Sequence, residues 1–273
     1  MVLAGGYPLI IAMVNNKGGV GKTVSSVNLA AALANRGQRV LLIDNDPQSN
    51  ASSLLLGDTN PENTLYEAYT NGISINKCIY PTHYGVDLLP NSQITAQIEA
   101  DLYLDTTKSY ALLKNLARAY AMDHYDVTLI DCPPSLGLWV IQAMACADGI
   151  IVPIEAGSRF SLDGLSAIYT SIESIRATKI NKDLRFLKTL VNKVDMRTSS
   201  SKIIIEKIRE LYPNNVFNTT IPTNDSIKQA ELQRMTCLRY DPQCSGSKRY
   251  RALAEELINL ISDDRNQLRL PNG

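Results

Sequence analysis

Short, continuous apolar runs recur along the chain at 9–14, 39–43, 86–89, 127–130, 149–153 and 184–191, and they predict strands. Longer segments with apolar residues at helical spacing, 23–35, 108–119, 138–146, 162–178, 200–211 and 247–261, follow most of them and predict helices. Runs such as IIAMV, VLLI and VTLI lack the polar alternation of a half-exposed strand, as expected of parallel strands covered on both faces. Strand and helix in alternation imply an α/β fold: a doubly wound, mostly parallel sheet flanked by helices. No repeat, low-complexity stretch or Ser/Pro/Gly linker divides the chain, and only eight residues precede the first strand. The expected organisation is therefore one domain over residues 1–273 with no N-terminal DNA-binding extension.

The junction between the first strand and the first helix reads NNKGGVGKT, Asn15 to Thr23. Gly18, Gly19 and Gly21 let a backbone turn its N–H groups inward around an anion, with Val20 carried between them. A helix starting near Lys22 aims its free amides and dipole at the same place. Lys22 is placed to neutralise β- and γ-phosphates, and the Thr23 hydroxyl to ligate Mg²⁺. The strict G-x-x-x-x-G-K-[ST] pattern is broken because Asn16 stands at its first glycine, and a second lysine, Lys17, follows. Acidic residues end two other strands: Asp44 and Asp46 in LLIDNDPQSN and Asp131 in YDVTLIDCPPSLG. That end of a parallel strand is where α/β proteins hold ligands, so Asp131 is the candidate Mg²⁺ carboxylate and Asp46 the candidate for orienting a water and for the metal shell. Each carboxylate taken alone also suits a turn or helix cap.

Composition narrows the partners. With 45% hydrophobic residues the chain can bury a core, and 27 basic against 27 acidic residues leave no overall field for nucleic acid, though a local basic face stays open. Five scattered cysteines without a C-x-x-C pair fit a reducing cytoplasm, and two distant histidines give no metal-ligand spacing. The N-terminus lacks the plan of a secretory signal, and its apolar run is too short to span a bilayer. The expected location is cytoplasmic.

These segments together resemble the ParA/MinD family of deviant Walker A ATPases, most closely its ParA/Soj partition proteins. The likeness continues through ADGIIVPIEAGSRFSLDGL at 147–165, IPTNDSIKQA at 221–230 and YDPQCSG…YRALAEEL at 240–257, and so runs through nearly the whole chain in order. It implies a slow, partner-stimulated ATPase using ATP and Mg²⁺ as a sandwich homodimer, with Lys17 reaching the partner's phosphates. It also implies Asp46 in water positioning, Asp131 in the Mg²⁺ shell, and Asn192, Pro222 and Asn224 around the adenine. Two positions depart from the pattern. Val24 replaces a second threonine near the α-phosphate, and Ser226 stands where relatives often carry arginine, with Lys228 nearby.

The resemblance further implies non-specific DNA binding, nucleoid association and a ParB-like adaptor that triggers hydrolysis to segregate a plasmid or chromosome. Basic candidates for the DNA face are Lys202, Lys207, Arg209, Lys228, Arg234, Arg239, Lys248, Arg249 and Arg251; interleaved glutamates make a solvated helix face the competing reading. A MinD-like or other positioning ATPase acting on a membrane or a protein cargo is the alternative. The C-terminal INLISDDRNQLRLPNG argues against the membrane, because Asp263, Asp264 and Pro271 interrupt any basic amphipathic anchor. An iron–sulfur reductase would need paired thiolates, and Cys132 has no evident second ligand.

Overall fold

The computed structural model describes residues 9–104, 113, 119–156, 161–195 and 197–268. Seven strands form one sheet: Leu9–Met13 (β1), Val40–Asp44 (β2), Tyr80–Pro81 (β3), Val86–Leu89 (β4), Val127–Asp131 (β5), Gly149–Glu155 (β6) and Arg185–Asn192 (β7). Their spatial order is β3-β4-β2-β5-β1-β6-β7, and every pairing is parallel except β3 with β4. The expected doubly wound, mostly parallel sheet is therefore what the chain builds. The predicted helix at 108–119 lies, apart from Leu113 and Ala119, outside the described residues.

The period-two geometry of a strand explains the continuous apolar runs. In β1, Ile10 and Ala12 enter one core while Ile11 and Met13 enter the other; in β2, Leu41 and Ile43 oppose Val40 and Leu42. Both faces are dry because helices cover both. Leu138–Cys146 and Ser161–Ala177 pack on the first face through Val140, Met144, Leu165, Ile168 and Ile172. Lys22–Ala34 (α1) and the C-terminal helix Ser245–Leu268 cover the second through Val27, Leu29, Leu33, Leu253 and Leu257.

One irregularity has a local cause. Between β6 and β7 the register slips, so that Ile150 faces Phe186 while Ile151 faces Lys188, and Leu187 is the extra residue. Its side chain lies over Gly149, where a Cβ would stand 2.3 Å from Leu187 Cγ. The bulge fits because position 149 has no side chain.

Several elements are not marked by the apolar pattern. Asn50–Leu56 (α2) and Leu65–Thr70 (α3) are too short to show a helical stripe. The second is held by a capping box, Thr64 accepting from Tyr66 N while Glu67 accepts from Thr64 N. Asp225–Leu232, Cys237–Tyr240 and the antiparallel edge strand β3 were likewise not expected, and the C-terminal helix is longer at both ends than its apolar stripe. None of the described helices is long and apolar enough to cross a membrane.

Candidate nucleotide site

At the carboxyl end of β1 the chain leaves the sheet centre and turns into α1, whose first residue is Lys22. Gly21 caps that helix in the left-handed region at φ 86°, which is inexpensive only for glycine. Asn15 anchors the loop at its start: its Nδ2 donates to Pro153 O at 2.6 Å on neighbouring β6, and its Oδ1 accepts from Lys17 N at 2.9 Å. Lys22 folds back across the turn and donates from Nζ to Lys17 O at 3.1 Å, closing the loop around its own amides. Lys17 itself points its half-exposed ammonium to Glu155 Oε2 at 3.7 Å. On the far side, Asn192 Nδ2 donates to Val20 O at 2.9 Å and to Ser25 Oγ at 3.0 Å, bracing the loop from the end of β7.

The carboxylates converge because β2 and β5 are adjacent, with Asp44 and Asp131 in register. They do different work. Asp44 is fully buried and saturated: Oδ2 accepts from Ser52 N at 2.7 Å and Ser52 Oγ at 2.6 Å, and Oδ1 from Asp46 N. It shapes the turn after β2, which is the capping role open to any such aspartate. Burial, reinforced by the Asp131 charge, pushes its carboxyl up to about 7. Asp131 Oδ1 accepts from Ser26 Oγ at 2.8 Å, while its Oδ2 is buried with no hydrogen-bond partner. Burial raises Asp131 to about 6, against the lowering effect of the nearby Thr23 and Ser26 hydroxyls. Asp46 also has its acidity weakened by burial, and its Oδ1 accepts from Gln48 N at 2.9 Å. Burial lowers the Lys22 ammonium, and the charges of Asp131 and Asp46 offset part of that effect.

A cleft of about 640 Å³ opens over this arrangement. Gly18, Gly19, Gly21, Lys22, Thr23, Val24 and Asp46 form its floor; Ser53 and Leu54 of α2 and Lys193, Glu231 and Arg234 form its walls. Magnesium fits this donor set. An unpartnered buried carboxylate oxygen beside a threonine hydroxyl is a half-shell for a hard cation, and Mg²⁺ takes its remaining ligands from phosphate and water. Among the described residues no group of three or more His, Cys, Asp or Glu could hold a metal without such help. Cys132, next to Asp131, is fully buried, and burial drives its thiol well up.

The expected adenine residues, Asn192, Pro222 and Asn224, are not among those lining the cleft. The segment around Pro222 runs beside the end of β7, with a Val194–Pro222 bridge and Thr223 N donating to Val194 O at 3.1 Å. Asn192 is committed to bracing the loop, although its Oδ1 is buried without a partner. Asn224 caps Asp225–Leu232 through Ile227 N and donates to Ser245 Oγ at 2.7 Å. The basic candidates lie on several elements. Lys202, Lys207 and Arg209 lie on Ser199–Leu211, whose Ile205 and Ile208 join the first core. Lys228, Arg234, Arg239, Lys248, Arg249 and Arg251 sit on elements packed against the second. Lys228 pairs with Asp225, Arg234 with Asp58, and Arg251 donates to Pro242 O; Lys202, Lys207, Lys248 and Arg249 are exposed. Sequence reasoning did not single out Ser26, Ser52 or Glu155. The first two are hydroxyls whose partner, an aspartate on another strand, is met only in the fold, and the third ends an apolar strand as Asp131 does but pairs with Lys17.

A family profile described as an AAA domain matches residues 9–186. The chain is 35% identical to the chromosome partitioning protein ParA of Caulobacter vibrioides (strain NA1000 / CB15N) over 256 residues, 93% of this chain and 95% of that protein. It is 34% identical to the sporulation initiation inhibitor protein Soj of Bacillus subtilis (strain 168) over 250 residues, 91% and 97% of the two chains. Its fold matches cobyrinic acid a,c-diamide synthase from Mycobacterium smegmatis, solved with a bound ATP analog and magnesium, at a TM-score of 0.81 and 28% identity over 94% and 97% of the chains. The loop, the two strand-end carboxylates and the agreement over nearly the full length lead to one assignment: the chain belongs to the ParA/Soj group of the ParA/MinD family of P-loop ATPases.

Proposed function

We propose that this chain is a partition-type ATPase that binds Mg·ATP in the cleft over α1, dimerises on it and hydrolyses it slowly until an adaptor accelerates turnover. One observation carries the reading: Lys22 Nζ lies across the loop on Lys17 O, above a buried Asp131 whose Oδ2 has no partner. The loop amides and Lys22 hold the triphosphate, and Val24 stands beside the α-phosphate where relatives offer a hydroxyl. Thr23 and Asp131, with Asp46 beside them, hold Mg²⁺, which supplies charge neutralisation to the phosphate oxygens when bound. Asp46, at the cleft floor, orients the attacking water. Asn192, Pro222 and Asn224 flank the base.

Lys17 is the residue that couples hydrolysis to assembly. It is half exposed, and its pairing with Glu155 is the weak, solvent-screened kind that exchanges readily. In the dimer it exchanges Glu155 for the partner's phosphates, as a cation supplied in trans. Dimerisation doubles the exposed basic residues, chiefly Lys202, Lys207, Lys248 and Arg249, and gives a neutral chain a salt-sensitive hold on nucleoid DNA. A ParB-like centromere-binding protein, or an analogous adaptor, then releases it, and the cycle moves a plasmid or chromosome through the cytoplasm. Light scattering with Mg·ATP tests the central step. Wild type doubles in mass and Lys17→Ala stays monomeric; a variant that dimerises normally removes the trans lysine from the mechanism.

A further inference from the structure

Among the described residues only four non-glycine positions hold a positive φ: Ser49, Lys179, Lys193 and Arg234. Two of them, Lys193 and Arg234, line the nucleotide cleft. Arg234 follows Asp225–Leu232 in the left-handed position that ends many helices, with its N–H donating to Glu231 O at 3.0 Å. Glycine is the usual occupant there, and a β-carbon at φ 50° is strained. An arginine in that place sets its side chain in a direction an ordinary helical residue would not take. Here it reaches Asp58, 176 positions away in sequence, with Nη1 to Oδ1 at 3.1 Å.

The two partners belong to different segments around the cleft. Asp58 comes just after α2, whose Ser53 and Leu54 line the cleft; Arg234, itself in the lining, comes just after the helix whose Glu231 and Leu232 line it too. The geometry points to a clasp: the Arg234–Asp58 ion pair ties the walls of the nucleotide cleft together and slows escape of bound nucleotide. Both ends are in solvent, Asp58 completely, so the clasp opens and closes freely and its hold is modest and salt-screened. Leu232, 76% exposed on the same rim, gives the closed cleft an apolar lip. Arg234 thus acts as a positioning residue at the cleft mouth.

The inference rests on the cleft being the ATP site. The full-length protein is loaded with ATP carrying a fluorescent N-methylanthraniloyl label on its ribose, with Mg²⁺, and chased with unlabelled ATP in a stopped-flow instrument. Arg234→Gly and Asp58→Ala should each speed release about two- to fivefold, the range an exposed ion pair supports, and the double variant should go no faster. Wild type should approach the variants' rate in 1 M salt, and the exchanged pair Asp58→Arg with Arg234→Asp should slow release again. Arg234→Gly should also melt higher than wild type because the strained backbone is relieved. Faster release with greater stability separates a clasp from a fold defect. Normal labelled-ATP binding with unchanged release in both single variants overturns the clasp and leaves the ATP site standing. Absence of binding by wild type overturns both.

Discussion

Asp131→Asn gives a stability signature that follows from the site's burial. The carboxyl is fully buried and raised to about 6 from an ordinary value of 3.8. The folded protein therefore binds this proton more tightly than the unfolded chain does, and stability falls as pH rises. The destabilisation is absent below about pH 4, grows between pH 4 and 6 and is complete above that range, reaching about 3 kcal/mol at 1.36 kcal/mol per tenfold in proton affinity. Asparagine keeps an oxygen to accept from Ser26 Oγ and removes the charge. Lys22 loses an attractive neighbour in the exchange, which takes back part of the gain. In EDTA and without nucleotide at pH 8, the variant should be more stable than wild type by about 1–3 kcal/mol, or roughly 2–4 °C in melting temperature for each kcal/mol in a chain of this size. At pH 5 the difference should be about half as large, and near pH 4 it should vanish. Circular dichroism melts across this range measure it, and the same variant should lose Mg-dependent ATP turnover. A variant that melts below wild type at pH 8 would mean that the Asp131 carboxylate is held by favourable contacts, and the electrostatic reasoning about the site would be wrong.

Other substitutions probe separate parts of the argument. Gly21→Ala puts a β-carbon at φ 86° and 3.0 Å from Asn192 Nδ2, so it should cost about 1–3 kcal/mol and weaken ATP binding in calorimetry; unaltered binding would show that the loop does not need this conformation. Asp46→Ala should preserve ATP binding and the ATP-dependent dimer while phosphate release falls at least tenfold, the scale of a lost proton-handling group; wild-type turnover would remove Asp46 from the chemistry. Gly149→Ala should destabilise by about 1–3 kcal/mol in urea unfolding because Leu187 blocks the site, and adding Leu187→Ala in the same chain should give a total loss smaller than the sum of the two single losses. If it does not, the bulge is held by something other than that contact.

The glycine loop was legible because phosphate binding demands a particular backbone at a particular place, and only certain residues in a fixed order supply it. The strand-end aspartates were legible because a buried apolar run followed by an acid is unusual. Ser26 and Ser52 carry no such mark, and Glu155, which also ends an apolar strand, takes its role only from the Lys17 that another segment brings to it. Short elements escaped for a similar reason. A seven-residue helix such as Asn50–Leu56 has too few turns for an apolar stripe to stand out, and its place is set by packing Ala51, Leu54 and Leu55 against the second core.

By itself the sequence determined the doubly wound sheet, the loop that opens α1 and the residue types beneath it, since apolar period and local backbone chemistry act over a few neighbouring positions. Tertiary structure decided which carboxylate is spent on the fold and which is left with an open oxygen. Asp44 and Asp131 each end an apolar strand, and only the packing of Ser52 against one and Thr23 and Ser26 against the other separates them. It also decided that Arg234 meets Asp58, because an ion pair between residues so far apart along the chain exists only after two walls of the cleft have been brought together.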